Sequence, residues 1–410
     1  MKTGRKFYSR RQFLSRAMGG VAGAGLIGIS PKSLRAVEPK PSESLAGKPA
    51  VRKLGKTGIE IPIVSMGVMN ADIPGLIRKS FEMGVRHFDT AAGYQNGRNE
   101  EMVGSVIDEL KVRKQVVIGT KVGFRPRPGM DAGQVRDGFL DVFEGSLKRL
   151  KTGYVDILYI HSVKDVETLK NPGLLEALAR AKKEGKARFV GFSTHSNMAV
   201  CLDEAAGSGL FDVVLSAINY AMHDNRQLLQ SMENAAAKGI GIIAMKTQCQ
   251  QTWYREQQSA DAKGFYEGPI LHKALLKWVL SHDFITTAIP GYVNFPQLEE
   301  DVSVAFHPPY TPDERKFLQD RRVLAAIRSV CQQCGGCRST CPQGADVPEL
   351  IRSQQYAAAY GNFAAARDCL SAIPTGSGLS VCLSCGDCRA RCVNRVDIGR
   401  RIGDLRTIYG

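Results

Sequence analysis

After its first 36 residues this 410-residue chain has no stretch hydrophobic enough to cross a bilayer, and no run of basic residues. A spanning helix needs about 20 consecutive apolar residues, and the glycine-rich run from Ala17 to Ile29 is too short and too mild to provide one. The net charge of +15 would suggest a polyanion partner if it were clustered, but eight of those charges sit in residues 1–36, which hold no acidic side chain. The remainder is spread along the chain, so no nucleic-acid partner is needed to explain it. Also missing is a GxGxxG fingerprint after the first candidate strand. Its absence counts against an open, doubly wound dinucleotide-binding sheet.

What the first residues do contain is an ordered set of parts. A basic start carries SRRQFL at residues 9–14, the apolar run follows, and Pro31 precedes a candidate cut after Ala36. Adjacent arginines before Phe13 and Leu14 read as a twin-arginine signal, the address for export of folded proteins. The expected partner is therefore the twin-arginine translocase, and the expected location the periplasm. Leu34 at the −3 position of the cut is not small, which leaves retention as a membrane anchor open. Residues 37–50 read as a linker, residues 51–312 as one large domain and residues 313–410 as a smaller one.

Within the large domain, short β-branched runs alternate with amphipathic segments. The candidate strands lie at 63–68, 86–91, 116–122, 155–161, 187–193, 212–220, 239–246 and 284–291. Between them fall helical patterns such as GLLEALARAKKEGKA, with Leu174, Leu175, Leu178 and Ala181 at helical spacing and Gly185 as a stop. Eight strand–helix units in about 250 residues predict a closed parallel (β/α)8 TIM barrel, an α/β fold. The long segment 247–269 reads either as a lid over a site or as a surface elaboration.

A barrel of this kind does chemistry at the C-terminal ends of its strands. Asp89 ends the second candidate strand, Lys121 the third and His161 the fourth, with Tyr94 five residues past Asp89. Singly, each is as well explained by capping or solvation. Together they make a proton donor: an ammonium draws down a phenol whose ordinary pKa is about 10, a carboxylate aims the ammonium, and a histidine holds a carbonyl oxygen. The blocks LGKTGIEIPIVSMG, GVRHFDTAAGYQNGRNEEMVG, GTK at 119–121, ILYIH at 157–161, GFSTHSN and AINYAMH resemble the aldo-keto reductases over most of residues 51–310. The resemblance implies Tyr94 as general acid, Lys121 and Asp89 as its tuners, His161 as carbonyl orienter and hydride transfer from NAD(P). It also implies that Ser193 and Asn219 hold the nicotinamide carboxamide. Two positions depart from the family: Met245 stands where an aromatic ring often stacks on the nicotinamide. Gly291, Tyr292 and Gln297 stand where NADP-preferring members clamp the 2′-phosphate. A phosphate without Arg or Lys contacts is poorly held, so NAD becomes a candidate beside NADP.

Eight of the eleven cysteines follow residue 330 in two copies of C-x2-C-x2-C-x3-C: Cys331, Cys334, Cys337 and Cys341, then Cys382, Cys385, Cys388 and Cys392. This is the bacterial ferredoxin run, in which the fourth cysteine ligates the neighbouring cluster. The expected sets are Cys331, Cys334, Cys337 and Cys392 for one [4Fe–4S] cluster, and Cys382, Cys385, Cys388 and Cys341 for the other. Zinc and disulfides are the competing readings, and the repeated third cysteine counts against both. Residues 346–370 have helix-forming composition apart from Gly361, and the region resembles the α-helical two-cluster ferredoxins. Such clusters are assembled in the cytoplasm and cannot be threaded unfolded through a pore, so the export signal and the cysteines explain each other.

The combination predicts an exported oxidoreductase acting on a small carbonyl or alcohol substrate, with clusters passing electrons to or from a redox partner protein. Two alternatives stand beside it: an electron-transfer protein whose barrel is a docking scaffold, and a reductase whose clusters are structural staples.

Overall fold

Parallel strands joined by helices are covered on both faces, so their residues are apolar in runs rather than in alternation. A computed structural model of the chain describes residues 47–249, 270–327 and 331–410. The leader, most of the linker and residues 250–269 of the candidate lid lie outside the described residues. The eight strands are β1 (Met66–Gly67), β2 (His87–Asp89), β3 (Val117–Val122), β4 (Val155–Val163), β5 (Ala187–Thr194), β6 (Val213–Ala217), β7 (Gly241–Met245) and β8 (Thr287–Ala288). Each pairs in parallel with the next. Every residue of β3 and β6 is buried, as strands wrapped by helices require. The ring closes where Ser65 N donates to Ala288 O at 2.8 Å and Ala288 N donates to Ile63 O at 2.9 Å. Six of the eight candidate strands contain these elements; β4 continues two residues past its candidate range, beyond His161, and β5 continues one, to Thr194.

The outer helices are α1 (Pro74–Glu82), α2 (Arg98–Leu110), α3 (Ala132–Arg149), α4 (Pro172–Lys183), α5 (Met198–Ser208), α6 (Arg226–Ala237), α7 (His272–Leu280) and α8 (Phe295–Phe306). Helix α4 shows the logic. Asn171 caps it by accepting from Leu174 N at 3.1 Å, and Leu174, Ala177, Leu178 and Ala181 form its buried face. Leu175, placed on that face by spacing, is half-buried at its edge. The helix ends at Glu184, followed by Gly185 at φ 71°, a left-handed position glycine adopts without strain. A hairpin of Val51–Lys53 and Glu60–Pro62, absent from the sequence reading, packs at the start of β7 through Lys56 N to Gly239 O at 2.8 Å.

After the barrel, α9 (Pro312–Gln319) and α10 (Arg321–Ile327) turn Phe317, Val323 and Ile327 onto Tyr220 and Leu275. Then come α11 (Val347–Gln354), a π-helical turn (Gln355–Ala359), α12 (Phe363–Ser371), α13 (Leu379–Leu383) and α14 (Ile398–Tyr409). Gly361, at φ 63°, breaks the expected helix, and Asn362 caps α12 by accepting from Ala365 N. Leu350, Ile351, Ile398, Ile402 and Leu405 form the core of this part, with cysteines from both motifs packed around it.

The C-terminal domain lies across the barrel's C-terminal mouth. Asn362 Nδ2 donates to Asn70 Oδ1 beyond β1 (3.1 Å), the Arg125 guanidinium beyond β3 donates to Ala372 O, Lys164 beyond β4 pairs with Glu349 (2.9 Å), and Gln332 Nε2 donates to Ala221 O beyond β6 (2.6 Å). The described residues accordingly form one compact unit.

Candidate active site

Strand β2 delivers Asp89 and strand β3 delivers Lys121 into the interior, each about 1% exposed. The Lys121 ammonium bonds Asp89 Oδ1 and donates to Thr90 O at 2.6 Å. Burial pushes the Asp89 carboxyl up and the Lys121 ammonium down, each against the pull of the other. Gly119, two residues before Lys121 on β3, leaves little room for a side chain: a Cβ there would stand 3.1 Å from both Asp89 Oδ2 and the Tyr159 ring. Tyr94 opens a tight turn in which Gln95 and Asn96 are both left-handed, at φ 51° and 56°. That turn is fixed by a buried network: Gln95 Nε2 donates to Ala71 O, Asn99 Nδ2 to Val68 O, Thr90 Oγ1 to Asn99 Oδ1, and Arg149 pairs with the fully buried Glu100. The NEE of the quoted block supplies two of these anchors.

The four residues of the predicted set come together. The Lys121 ammonium lies 4.8 Å from the centroid of the Tyr94 ring, over its face. The His161 ring meets the Tyr94 ring edge-on, with centroids 5.8 Å apart. The electrostatics differ from the expectation that Lys121 draws the phenol down. Burial first, and then the Asp89 charge, hold Tyr94 above its ordinary value; the cation that pulls it down is Arg352, from the C-terminal domain. His161 is held well below its ordinary value by burial and then by Lys121, Arg352 and Arg125. It is therefore a neutral imidazole near pH 7, able to donate to a carbonyl oxygen without carrying charge.

Tyr94 and Asp89 line a cavity whose other wall comes from the far end of the chain. Asn219 and Met245 line it from the barrel, and Cys331, Gln333, Tyr356 and Tyr360 from the C-terminal domain. Asn219 is also tied locally, accepting from Ala221 N at 3.1 Å and donating to Lys246 O at 3.2 Å. The Ser193 hydroxyl accepts from Ser162 N at 2.9 Å, which binds β5 to the end of β4. His195, which sits in the quoted GFSTHSN but was not singled out, also lines the cavity. Its Nδ1 is buried without a hydrogen-bond partner among the described residues, and burial, followed by Lys246 and Arg352, keeps the ring well below its ordinary value. The strand-end rule that found His161 could have found it. Tyr356 stands beside the cavity with the Lys246 ammonium 5.1 Å from its ring centroid. It adds an aromatic surface to a cavity in which β7 offers Met245. At the positions where the resemblance implies a 2′-phosphate clamp, Tyr292 is fully buried and its hydroxyl donates to Ser65 O at 3.4 Å, while Gln297 Oε1 accepts from Val293 N. Both side chains are engaged within the fold.

Arg352 and Glu349 form a buried knot under the seam. Arg352 bonds Glu349 Oε2 and, through Nε, the Cys369 sulfur at 3.3 Å, and Lys164 reaches Glu349 from just beyond β4. Burial works to raise the Glu349 carboxyl, and Arg352 and Lys164 outweigh it.

The eight patterned thiols fall into two groups. Cys337 is pushed up to about 12 by burial and then by Cys331, Cys392 and Cys334. Cys382 is pushed up to about 11 by burial and then by Cys341, Cys388 and Cys385. Each group thus draws three thiols from one motif and the fourth from the other. Among the described residues, no three His, Cys, Asp or Glu side chains converge tightly enough for a single metal ion. A four-iron cube binds each thiolate to a different iron and so needs a wider set. Crowded thiolates in an apolar shell repel one another, and iron relieves that repulsion; the donor sets fit such a cluster.

Comparison with known proteins agrees with this geometry. Residues 70–269 match the aldo/keto reductase family, and residues 330–397 match the 4Fe-4S dicluster domain. L-galactose dehydrogenase of Arabidopsis thaliana is 27% identical over 284 residues, covering 62% of this chain and 87% of that protein. L-glyceraldehyde 3-phosphate reductase of Escherichia coli K12 is 26% identical over 302 residues, covering 61% and 86%. An aldo-keto reductase from Klebsiella pneumoniae, solved in complex with NADPH, shares the fold with a TM-score of 0.53 at 22% identity, covering 67% of this chain and 95% of that one. The protein is an oxidoreductase built from an aldo/keto reductase barrel joined to a 4Fe-4S dicluster domain.

Proposed function

We propose that this protein is exported folded through the twin-arginine route and interconverts a small carbonyl compound and its alcohol, exchanging electrons with a partner through two [4Fe–4S] clusters. The observation that carries the reading is the shared cavity: Cys331, assigned to the first cluster, lines the same space as Tyr94. A nicotinamide beside Asn219 and Met245 would supply or accept the hydride, and clusters on the eight thiols would carry electrons one at a time. The chain's own residues move the proton. The Tyr94 phenol gives its proton to the oxygen of a carbonyl being reduced and recovers it when an alcohol is oxidised. His161, uncharged, donates to the same oxygen and fixes its direction. Asp89 holds Lys121 charged under the Tyr94 ring, and Arg352 lowers the energy of the phenolate. The C-terminal domain closes over the mouth, which keeps water from the reacting carbon.

NAD is the better candidate nucleotide, because the described residues at the 2′-phosphate end offer Tyr292 and Gln297, both engaged elsewhere. The relatives named for L-galactose and L-glyceraldehyde 3-phosphate support a hydroxy-carbonyl substrate. Leu383, next to Cys382, is 49% exposed and Val393, next to Cys392, is 76% exposed, which supports electron exchange with a partner at the surface near either cluster. The test is the iron and nucleotide content of protein isolated from the periplasm without air. About eight irons, the count two cubes require, with bound NAD(H) is expected. Iron without any nucleotide would overturn the hydride half of the proposal.

A further inference from the structure

We infer that the Gln333 carboxamide couples the barrel cavity to the cluster held in part by Cys331, raising that cluster's reduction potential when a hydrogen-bond donor occupies the cavity. The inference rests on the proposed role of Cys331 as a cluster ligand. Gln333 lies inside the first cysteine motif, 6% exposed, with a left-handed backbone at φ 56°. A non-glycine residue is rarely kept in that conformation unless its surroundings fix it. They do so here through two successive glutamines. The Gln332 amide donates to Ala221 O in the barrel, while Gln333 Nε2 donates to Pro348 O at 3.0 Å and to Cys331 Sγ at 3.3 Å.

Both partners of Nε2 are acceptors, so the orientation of the amide is chemically determined. Flipping it would set its oxygen against a carbonyl oxygen and a sulfur, with no hydrogen between them. The other end of the group, Oε1, is buried and has no donor among the described residues. Gln333 lines the cavity together with Tyr94, Asn219 and Met245. A buried acceptor without a donor is uncommon and unfavourable, and here it belongs to a residue that borders a ligand site and also bonds a cluster sulfur.

The consequence follows from the polarisability of an amide. A bound molecule that presents an O–H or N–H to Oε1 draws electron density toward the oxygen and makes the Nε2 hydrogens more positive. The hydrogen bond to Cys331 Sγ then strengthens. A stronger donor to a ligating sulfur favours the more negative, reduced cluster and so raises its potential. By linkage, the reduced cluster holds the bound molecule more tightly. Gln333 is thus a positioning residue that lets the cluster respond to occupancy of the cavity.

The experiment is a redox titration of the anaerobic holoprotein followed by electron paramagnetic resonance, with NAD+ alone and with glycerol alone as probes. In the wild-type protein one of the two potentials is expected to rise with at least one probe; a response to glycerol shows that a hydroxyl suffices as donor, and a response to NAD+ alone places the donor on the nucleotide. Gln333→Met, similar in shape but without an amide, is expected to lower that same potential in the absence of probe and to abolish the response. The other potential should stay where it is. Gln333→Asn suits the left-handed backbone but is one methylene short, and it should behave like Gln333→Met, which guards against loss of the fold in the first variant. Unchanged potentials in both variants with full iron content, or a wild-type protein that responds to neither probe, would overturn the inference. Absence of iron from the wild-type protein would instead overturn the assignment of Cys331 as a ligand.

Discussion

Replacing Lys121 by Met should unfold this protein more readily at pH 8 than at pH 6, and the structure says by roughly how much. Lys121 and Asp89 are each about 1% exposed, and the ammonium bonds both the carboxylate and Thr90 O. Removing one partner of a buried ion pair costs about 3–5 kcal/mol, because the other charge is left without compensation. Burial already works to raise the Asp89 carboxyl, and without Lys121 nothing opposes it. The native variant therefore takes up a proton that the unfolded chain, with an ordinary carboxyl near 3.9, does not. A group whose native pKa lies above its unfolded value gives stability at low pH that is lost as pH rises toward the native value. The deficit against wild type should accordingly grow from pH 6 to pH 8. Lys121→Met combined with Asp89→Asn removes both charges and should recover most of the loss. The assay is urea unfolding of the anaerobic holoprotein by far-ultraviolet circular dichroism at the two pH values. A single variant as stable as wild type at pH 8, or a double variant as weak as the single, would refute the reasoning.

Further outcomes can be stated briefly. Tyr94→Phe should lower kcat by about 10²–10⁴, the usual worth of a positioned proton donor, with iron content unchanged; full turnover would assign the barrel to docking rather than chemistry. Arg352→Met removes the cation that opposes burial and Asp89 at the Tyr94 phenol, so kcat for alcohol oxidation, which passes through the phenolate, should fall at a fixed pH with iron content unchanged. An unchanged kcat would remove Arg352 from the account. Asp301, bonded by Gln248, is pushed up to about 8 by burial. Its raised native value makes wild-type stability fall as pH rises from about 4 toward 8, and Asp301→Asn should flatten that fall in urea midpoints measured from pH 6 to 8.

The barrel was legible because its signals are local. Each strand is a short β-branched run, each helix carries its own apolar face, and Asp89, Tyr94, Lys121 and His161 all sit at or just beyond the ends of strands. The two cysteine runs were legible because their spacing repeats, whereas the exchange of the fourth cysteine between them is an expectation carried by the likeness to the bacterial ferredoxin run. The seam was not. Glu349 and Arg352 are three residues apart on α11 and read as an ordinary helical pair, and nothing in their spacing says that Lys164, some 185 residues earlier, completes the knot. Gln333 and Tyr356 carry no pattern at all; only the docking of one domain on the mouth of the other gives them a cavity to line. The titration of Tyr94 departs from expectation because burial, and then Asp89, hold the phenol up, and the cation that opposes them is Arg352 of the far domain, not Lys121.

The most direct test of the account is a single turnover. Anaerobic holoprotein with oxidised clusters and bound nucleotide is mixed with a hydroxy-carbonyl alcohol and frozen for electron paramagnetic resonance. The alcohol would pass a hydride to bound NAD+ and release one proton; reoxidation of the NADH by the two clusters, one electron to each, would release the second proton and restore NAD+. The account predicts reduced-cluster signals that grow with product in wild type and are lost in Tyr94→Phe. Product formation at the full wild-type rate with both clusters remaining oxidised, though dithionite reduces them, would contradict it and leave the clusters as structural staples.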